Sequence, residues 1–450
     1  MKTVVIFVDS KSRDLMGDAL IAHHLQKRGY RCVLESLEAW RSCLGAWNPD
    51  FILFNHLGAP HLADFSQRLK AEGVLCGILL NEGIFHVPGD LEYSSRKQFD
   101  HAHCDLMLCW NQIHHDTLVE NNFCESPDQV IPIGVPRFDY YCAPWKELYE
   151  NKGHFRTERK KILVNANFPM AHFKEGPREE MDRFFSQWTH ISETFANYEK
   201  IVDDNHWAQR HFLNYLDALI NEDRYEIIVR QHPREDPNFY RKWYEGLTEK
   251  QREYVRLAPE ANITELILAC DLELSCENCT TILEAWIAGK PTVGLTFKKN
   301  PFFYLPANGA LLPECDDPNK IVEAVEEALA NPEQHTFAEG RRAYMTKWIF
   351  KNDGRSAQRA AESIIASIES RAKPKALKLS FSDRRRGLKL RYHAAIDEPY
   401  ASRLKHLIKY KISGERGKHT SRYRDYLKAV RPSEANDAME MVASVDPETR

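Results

Sequence analysis

Short continuous apolar runs, separated by stretches with helical spacing, set the pattern of the first third of this chain. The runs fall at residues 4–8, 32–34, 51–54, 74–80, 106–110 and 130–133, and unbroken runs of this kind suit strands buried on both faces. Helical patterns fit between them. The one over 16–28 ends at Gly29, the residue type that most readily takes the left-handed turn closing a helix. A second block repeats the alternation, with runs at 162–165, 226–230, 254–257, 271–275 and 292–295. The polar and aromatic interval 170–223 fits two helices, and two more are predicted over 321–330 and 357–368. Strand–helix alternation predicts parallel, doubly wound sheets. The expected fold class is therefore α/β, with two Rossmann-like domains facing a cleft. The boundaries read are 1–150 and 151–350, with a polar, basic linker at 144–161. A helix over 351–372 is expected to cross back onto the first domain, and a basic helical tail without strands follows over 373–450.

The segment 270–291 carries the most chemical information. It reads as a buried strand, a polar turn, a helix and a Gly-Lys-Pro stop leading to the next strand. Ser275, Asn278, Thr280 and Thr281 then lie at the carboxyl edge of a strand, where open α/β sheets bind ligands. Thr280 and Thr281 are placed at a helix start, where free N–H groups favour phosphate. Glu284, one turn on, is placed to accept from a ribose or another hydroxyl.

Composition narrows the class. Over 371–431 there are 19 Lys and Arg against 5 Asp and Glu, although the whole chain carries a formal charge of -4. A basic tail on an acidic body points to an anionic surface. No run approaches the ~18 apolar residues of a membrane span. The 11 cysteines are scattered, mostly inside apolar runs, which reads as reduced thiols in a cytoplasmic protein.

A second strand end gathers Arg230, His232, Pro233 and Arg234, three potential cations suited to phosphate. In the first domain the loop after the first strand contains Ser10, Lys11 and Arg13, and Arg137 follows the sixth run; these are the candidate acceptor-side residues. Capping by Ser12 or Asp14 is the competing reading of that loop. No metal site is expected. Cys276 and Cys279 have no second pair at zinc-ribbon distance, the cluster His101, His103, Cys104, His114 and His115 lacks a zincin-like helix pattern, and no Asp-x-Asp motif occurs. No cofactor is expected beyond a nucleotide-sugar substrate.

Four blocks, 133–139, 162–168, 229–235 and 278–285, resemble those of bacterial surface carbohydrate biosynthesis proteins, a GT-B glycosyltransferase family, in the order that family shows. The likeness spans roughly 1–370 and leaves out the tail. Asn81-Glu82-Gly83 and His232-Pro233 are similar to the acidic-acidic-Gly and His-Pro motifs of sialyltransferase-like and Kdo transferases. The resemblance implies that Glu82 is the base for the acceptor hydroxyl, and that His232, Thr280 and Thr281 bind the phosphate of a CMP-sugar. Asn81 departs from the pattern at the first acidic position. Glu82, at a strand end partly screened from water, can still take a proton.

The function expected is transfer of Kdo or another nonulosonate from a CMP-activated donor to a glycan of the bacterial surface. Transfer of a polyol phosphate from CDP-glycerol or CDP-ribitol is the alternative, and a non-catalytic assembly protein a third reading. Leu404, Leu407, Ile408 and Ile412 share a helical face flanked by Arg403, Lys405, Lys409 and Lys411. This suits the inner face of an anionic membrane carrying lipid-linked acceptors better than it suits nucleic acid, and a plain docking helix that covers the sheet is the third reading.

Overall fold

The computed structural model describes residues 1–84, 90–99, 101–150, 152–186, 196–259, 261–277, 279–304, 309–371, 375–400 and 428–448. The chain divides into two compact units, one of Met1–Ile84, Leu91–Leu148 and Thr346–Arg450, the other of Phe85–Asp90 and Tyr149–Met345. Asn278 and the amphipathic stretch 403–412 lie outside the described residues.

The first unit is built on six parallel strands: β1 (Thr3–Val8), β2 (Arg31–Ser36), β3 (Phe51–Phe54), β4 (Leu75–Leu79), β5 (Leu106–Cys109) and β6 (Val130–Pro132). Their order is β2-β1-β3-β4-β5-β6. β1, β3 and β5 are buried at every position, which is why their sequences show no alternation. The second unit has β7 (Lys160–Asn165), β8 (Tyr225–Arg230), β9 (Val255–Leu257), β10 (Leu272–Cys276), β11 (Thr292–Leu295) and β12 (Glu314–Cys315). These are also parallel, in the order β12-β11-β10-β7-β8-β9. All eleven strands read from the apolar runs are present. β12, two residues long, is too short to show a period. The expected helix pair within 170–223 is Arg178–Phe185 and Tyr198–Asn221.

Each strand order reverses once, between β1 and β3 in the first sheet and between β7 and β10 in the second. Crevices at the carboxyl ends of such switch points are where α/β sheets bind ligands.

Sequence alone sets 373–450 apart as a tail, but its described parts pack within the first unit. The helix Phe381–Ala395 lies on α2 (Trp40–Trp47). The two meet at glycines: a Cβ on Gly387 would fall 2.2 Å from the backbone carbon of Gly45. Arg68, on α3 (Pro60–Glu72), pairs with the buried Asp383 at 2.8 Å. The helix Pro432–Val445 packs on α1 (Leu15–Lys27), and just beyond it Asp446 meets His23 at 2.6 Å and Lys27 at 2.7 Å. These segments hide apolar surface and pair their charges, so they belong to the core of the unit. No described helix is long and apolar enough to cross a membrane.

Candidate functional site

In the second unit the candidate residues collect along one edge. Ser275 on β10, Asn165 on β7 and Arg230 on β8 are aligned in register. With strands ~4.8 Å apart and registered side chains on a common face, Ser275 and Arg230 stand on one row with Asn165 between them. β10 runs into the loop that starts the helix Thr281–Ile287, and β8 into His232-Pro233.

The His232 ring is fixed by its neighbours. The Arg234 backbone N–H donates to Nδ1 at 3.1 Å, so a neutral ring carries its proton on Nε2. Burial, reinforced by the charges of Arg234 and Arg230, lowers the His232 pKa to about 4. His232, read from the sequence as a potential cation, is thus a neutral Nε2–H donor at pH 7. Arg230 donates through Nε to the Ala261 carbonyl at 3.4 Å. Arg234 lies over the Phe184 ring at 4.7 Å. Pro233 is exposed in the same loop.

Beneath this loop sits Glu235. One carboxylate oxygen accepts from the backbone N–H of Phe168 at 3.0 Å and of His232 at 3.1 Å. The other accepts from Gln209 at 2.9 Å and from the Tyr240 hydroxyl. Burial raises its pKa, and those donors act against the rise. Glu235 ties the loop after β7 to the loop after β8.

The hydroxyl pair divides. Thr280 is exposed and makes no side-chain cap, whereas Thr281 is buried with its Oγ1 3.5 Å from the Ser275 hydroxyl. Glu284 is buried, and its charge acts on Glu273. Glu273 is fully buried on β10 and accepts from Asn165 at 2.7 Å. Burial first, then Glu284, lifts its carboxyl to about 7 against the bonds from Thr281 and Asn165. Glu277 ends the strand with φ 46°, a conformation rare outside glycine, and burial pushes its carboxyl up to about 8.

Glu235, Glu273, Glu277 and Asn165 were not among the candidates. Glu273 had a signal, a lone acid between leucines in an otherwise apolar strand. Glu235 stands three residues after His232 in a charged stretch that does not set it apart. Nothing local marks Glu277.

The first unit brings its candidates together as well. Arg13 pairs with Asp14 at 2.8 Å, Asp9 at 2.9 Å and Glu82 at 3.4 Å. The Asp14 carboxylate also accepts from the Ser10 backbone N–H at 3.1 Å, an arrangement other than a side-chain cap on α1. Ser10 Oγ lies 3.2 Å from Ser12 Oγ. Arg137 donates to the Asn81 carbonyl at 3.0 Å and stacks over Trp110. The Lys11 ammonium is held by Glu434 at 2.6 Å. Glu82 differs from expectation: it lies just past the end of β4, and its side chain is 60% exposed rather than screened. Asn81 accepts from Asn55 at 3.0 Å and donates to Asp9 at 3.4 Å. An acid at position 81 would face the Asp9 carboxylate, so this edge keeps its acid just past the end of β1.

Among the described residues the one His/Cys/acid group close enough to share a metal ion is Cys76, His103 and Asp105. It lies at the amino ends of β4 and β5, away from the carboxyl edge. The Cys76 thiol donates to the His103 carbonyl at 3.1 Å, and Asp105 accepts from the Cys76 N–H at 2.8 Å. These bonds read as a strand-end brace.

No protein-family profile and no curated protein matches the chain. Solved structures do. A Listeria monocytogenes protein assigned as a UDP-N-acetylglucosamine 2-epimerase aligns with a TM-score of 0.52 at 13% identity, covering 84% of this chain and 100% of its own. The wall teichoic acid polymerase TagF with CDPG aligns with a TM-score of 0.50 at 11% identity, covering 83% and 90%. At such identities the likeness speaks for the fold: this chain has the two Rossmann-like domains of GT-B proteins.

Proposed function

We propose that this protein is a nucleotide-sugar-dependent glycosyltransferase of surface-glycan synthesis, with a cytidine nucleotide as donor handle. The observation that carries the reading is the row Ser275–Asn165–Arg230 beside the neutral, Nε2-protonated His232. A phosphate there would meet one guanidinium, one N–H donor and the exposed hydroxyl of Thr280, which suits a leaving group whose charge grows as the bond breaks.

In this reading Glu82 takes the proton of the acceptor hydroxyl and the oxygen attacks the anomeric carbon. The bond from that carbon to the phosphate oxygen breaks and CMP departs. The sugar is Kdo or a related nonulosonate, and the acceptor is a glycan, lipid-linked in the cell, so that the enzyme works peripherally at the inner face of the cytoplasmic membrane. The charge of the departing phosphate is carried by Arg230 and His232, so the scheme calls on no metal. Glu284 is the acid this reading assigns to a donor hydroxyl.

A second reading has one observation in its favour. TagF, of similar fold, was solved with CDPG, which suits transfer of a polyol phosphate with the same cytidine handle. The products separate the two, a glycosidic bond in one case and a phosphodiester in the other.

Thermal shift with CMP, CDP, UDP, TDP and GDP tests the donor assignment. A ligand at ~100 times its Kd stabilises the fold by about 2.7 kcal/mol. CMP or CDP is expected to raise Tm with the other nucleotides inert. Stabilisation by UDP alone would overturn the cytidine assignment.

A further inference from the structure

The helix Phe381–Ala395 has two faces with opposite fates. Asp383, Gly387 and Leu390 point inward and are buried against the unit. The outward face carries Phe381 at 83% exposure, Leu388 at 66% and Tyr392 at 62%, with Ile396 at 48% directly after the helix. Among the described residues these are four of the seven exposed large apolar side chains. The spacing 381, 388, 392, 396 keeps them on one side of the helix. Exposed Arg384, Arg385, Arg386 and Lys389 flank them, and the single acid of the helix, Asp383, is turned inward to Arg68. A helix that had only to cover α2 would be polar outside.

The geometry points to this outward face as a docking surface for an anionic lipid bilayer, an inference that rests on the peripheral placement proposed above. Apolar side chains flanked by guanidinium groups suit the boundary between acyl chains and headgroups, and a helix whose one acid is turned inward is complementary to anionic lipid. Beside it a recess of about 300 Å³ opens between α2, α3 and the helix, lined in part by Arg41, His61, Arg68 and Arg386 with one acid, Asp64. Arg68 is already engaged by Glu72 and Asp383. Arg41 and Arg386 are the cations this recess offers to a headgroup phosphate.

The test is sedimentation of the full chain with phosphatidylcholine vesicles, with and without phosphatidylglycerol, across a salt series. Wild type is expected to partition onto the anionic vesicles only, and to come off as salt rises. Combined Arg384→Gln, Arg385→Gln and Arg386→Gln is expected to cut partition by about fivefold per charge removed, about 100-fold together. Combined Phe381→Ser, Leu388→Ser and Tyr392→Ser is expected to cut it about tenfold or more. These side chains are exposed, so melting is expected to be unchanged; Leu388→Ser alone serves if the triple variant melts early. Variants that bind anionic vesicles as wild type does would overturn this surface and leave the peripheral placement standing. Wild type that binds no vesicle, or binds regardless of salt and lipid charge, would overturn both. A dimer in light scattering that the serine variant abolishes, without vesicle binding, would assign the face to a second copy of the chain.

Discussion

The backbone N–H of Arg234 donates to Nδ1 of His232 at 3.1 Å, and this one bond decides what the imidazole can offer. With Nδ1 occupied as an acceptor, the neutral ring presents Nε2–H. Its pKa, lowered to about 4 by burial and then by Arg234 and Arg230, keeps it neutral at pH 7. Nitrogen-15 NMR is expected to show the Nε2–H tautomer above pH 5, and a bound phosphate should raise the midpoint. A midpoint near the ordinary 6.5 without ligand would contradict this account. His232→Ala is expected to abolish most transfer with little change in Tm, because His232 is a half-buried loop residue outside the hydrophobic core.

Glu82 is expected to behave as a general base. Glu82→Gln should lower turnover by about 10²- to 10⁴-fold and leave nucleotide affinity unchanged, since Glu82 lies in the first unit and the candidate phosphate residues in the second. Equal loss of nucleotide binding in a titration would remove it from the role. Asn81→Asp should not restore activity to such a variant, because it sets a second carboxylate against Asp9.

The buried acid Glu277 makes a signed pH prediction. Its carboxyl is pushed up to about 8 in the fold, from 4.5. Between these values the folded state holds a proton the unfolded chain has lost, so the stability it contributes is full below about 4.5 and is lost as pH rises towards 8. Glu277→Gln mimics the protonated acid. Its Tm should match wild type near pH 4.5 and exceed it increasingly up to pH 8. A constant offset at every pH would show that burial does not perturb this group.

Gly387→Ala sets two effects against each other. Alanine favours a helix interior by about 1 kcal/mol over glycine. Here its Cβ would lie 2.2 Å from the Gly45 backbone, which cannot swing aside, so overpacking of about 1–3 kcal/mol prevails. The variant should unfold at lower denaturant. Deletion after Arg371 should be more severe, since it removes the partners of both α1 and α2; a truncated chain that melts like the full one would show that these helices are not part of the core.

The fold was legible because its rule is local. Runs such as Val4–Val8 and Thr292–Leu295 are buried on both faces, and that condition writes itself as continuous hydrophobicity in the sequence. Sequence pattern pointed to Arg230, His232, Ser275 and Thr281; the first three stand at or just past strand ends, where short loops hold a residue's position close to its strand. Tertiary structure alone decided the rest. The neutrality of His232 depends on burial and on Arg234; the exposure of Glu82 depends on what covers a loop; the tie from Glu235 to Phe168 spans sequence positions that no periodicity links. The basic tail shows the division most plainly. Its charge is a property of composition, but whether Asp383 faces Arg68 and Gly387 meets Gly45 is a matter of packing between distant segments. Local sequence carries propensity and pattern, while solvation and charge pairing are set by whichever groups the fold places alongside.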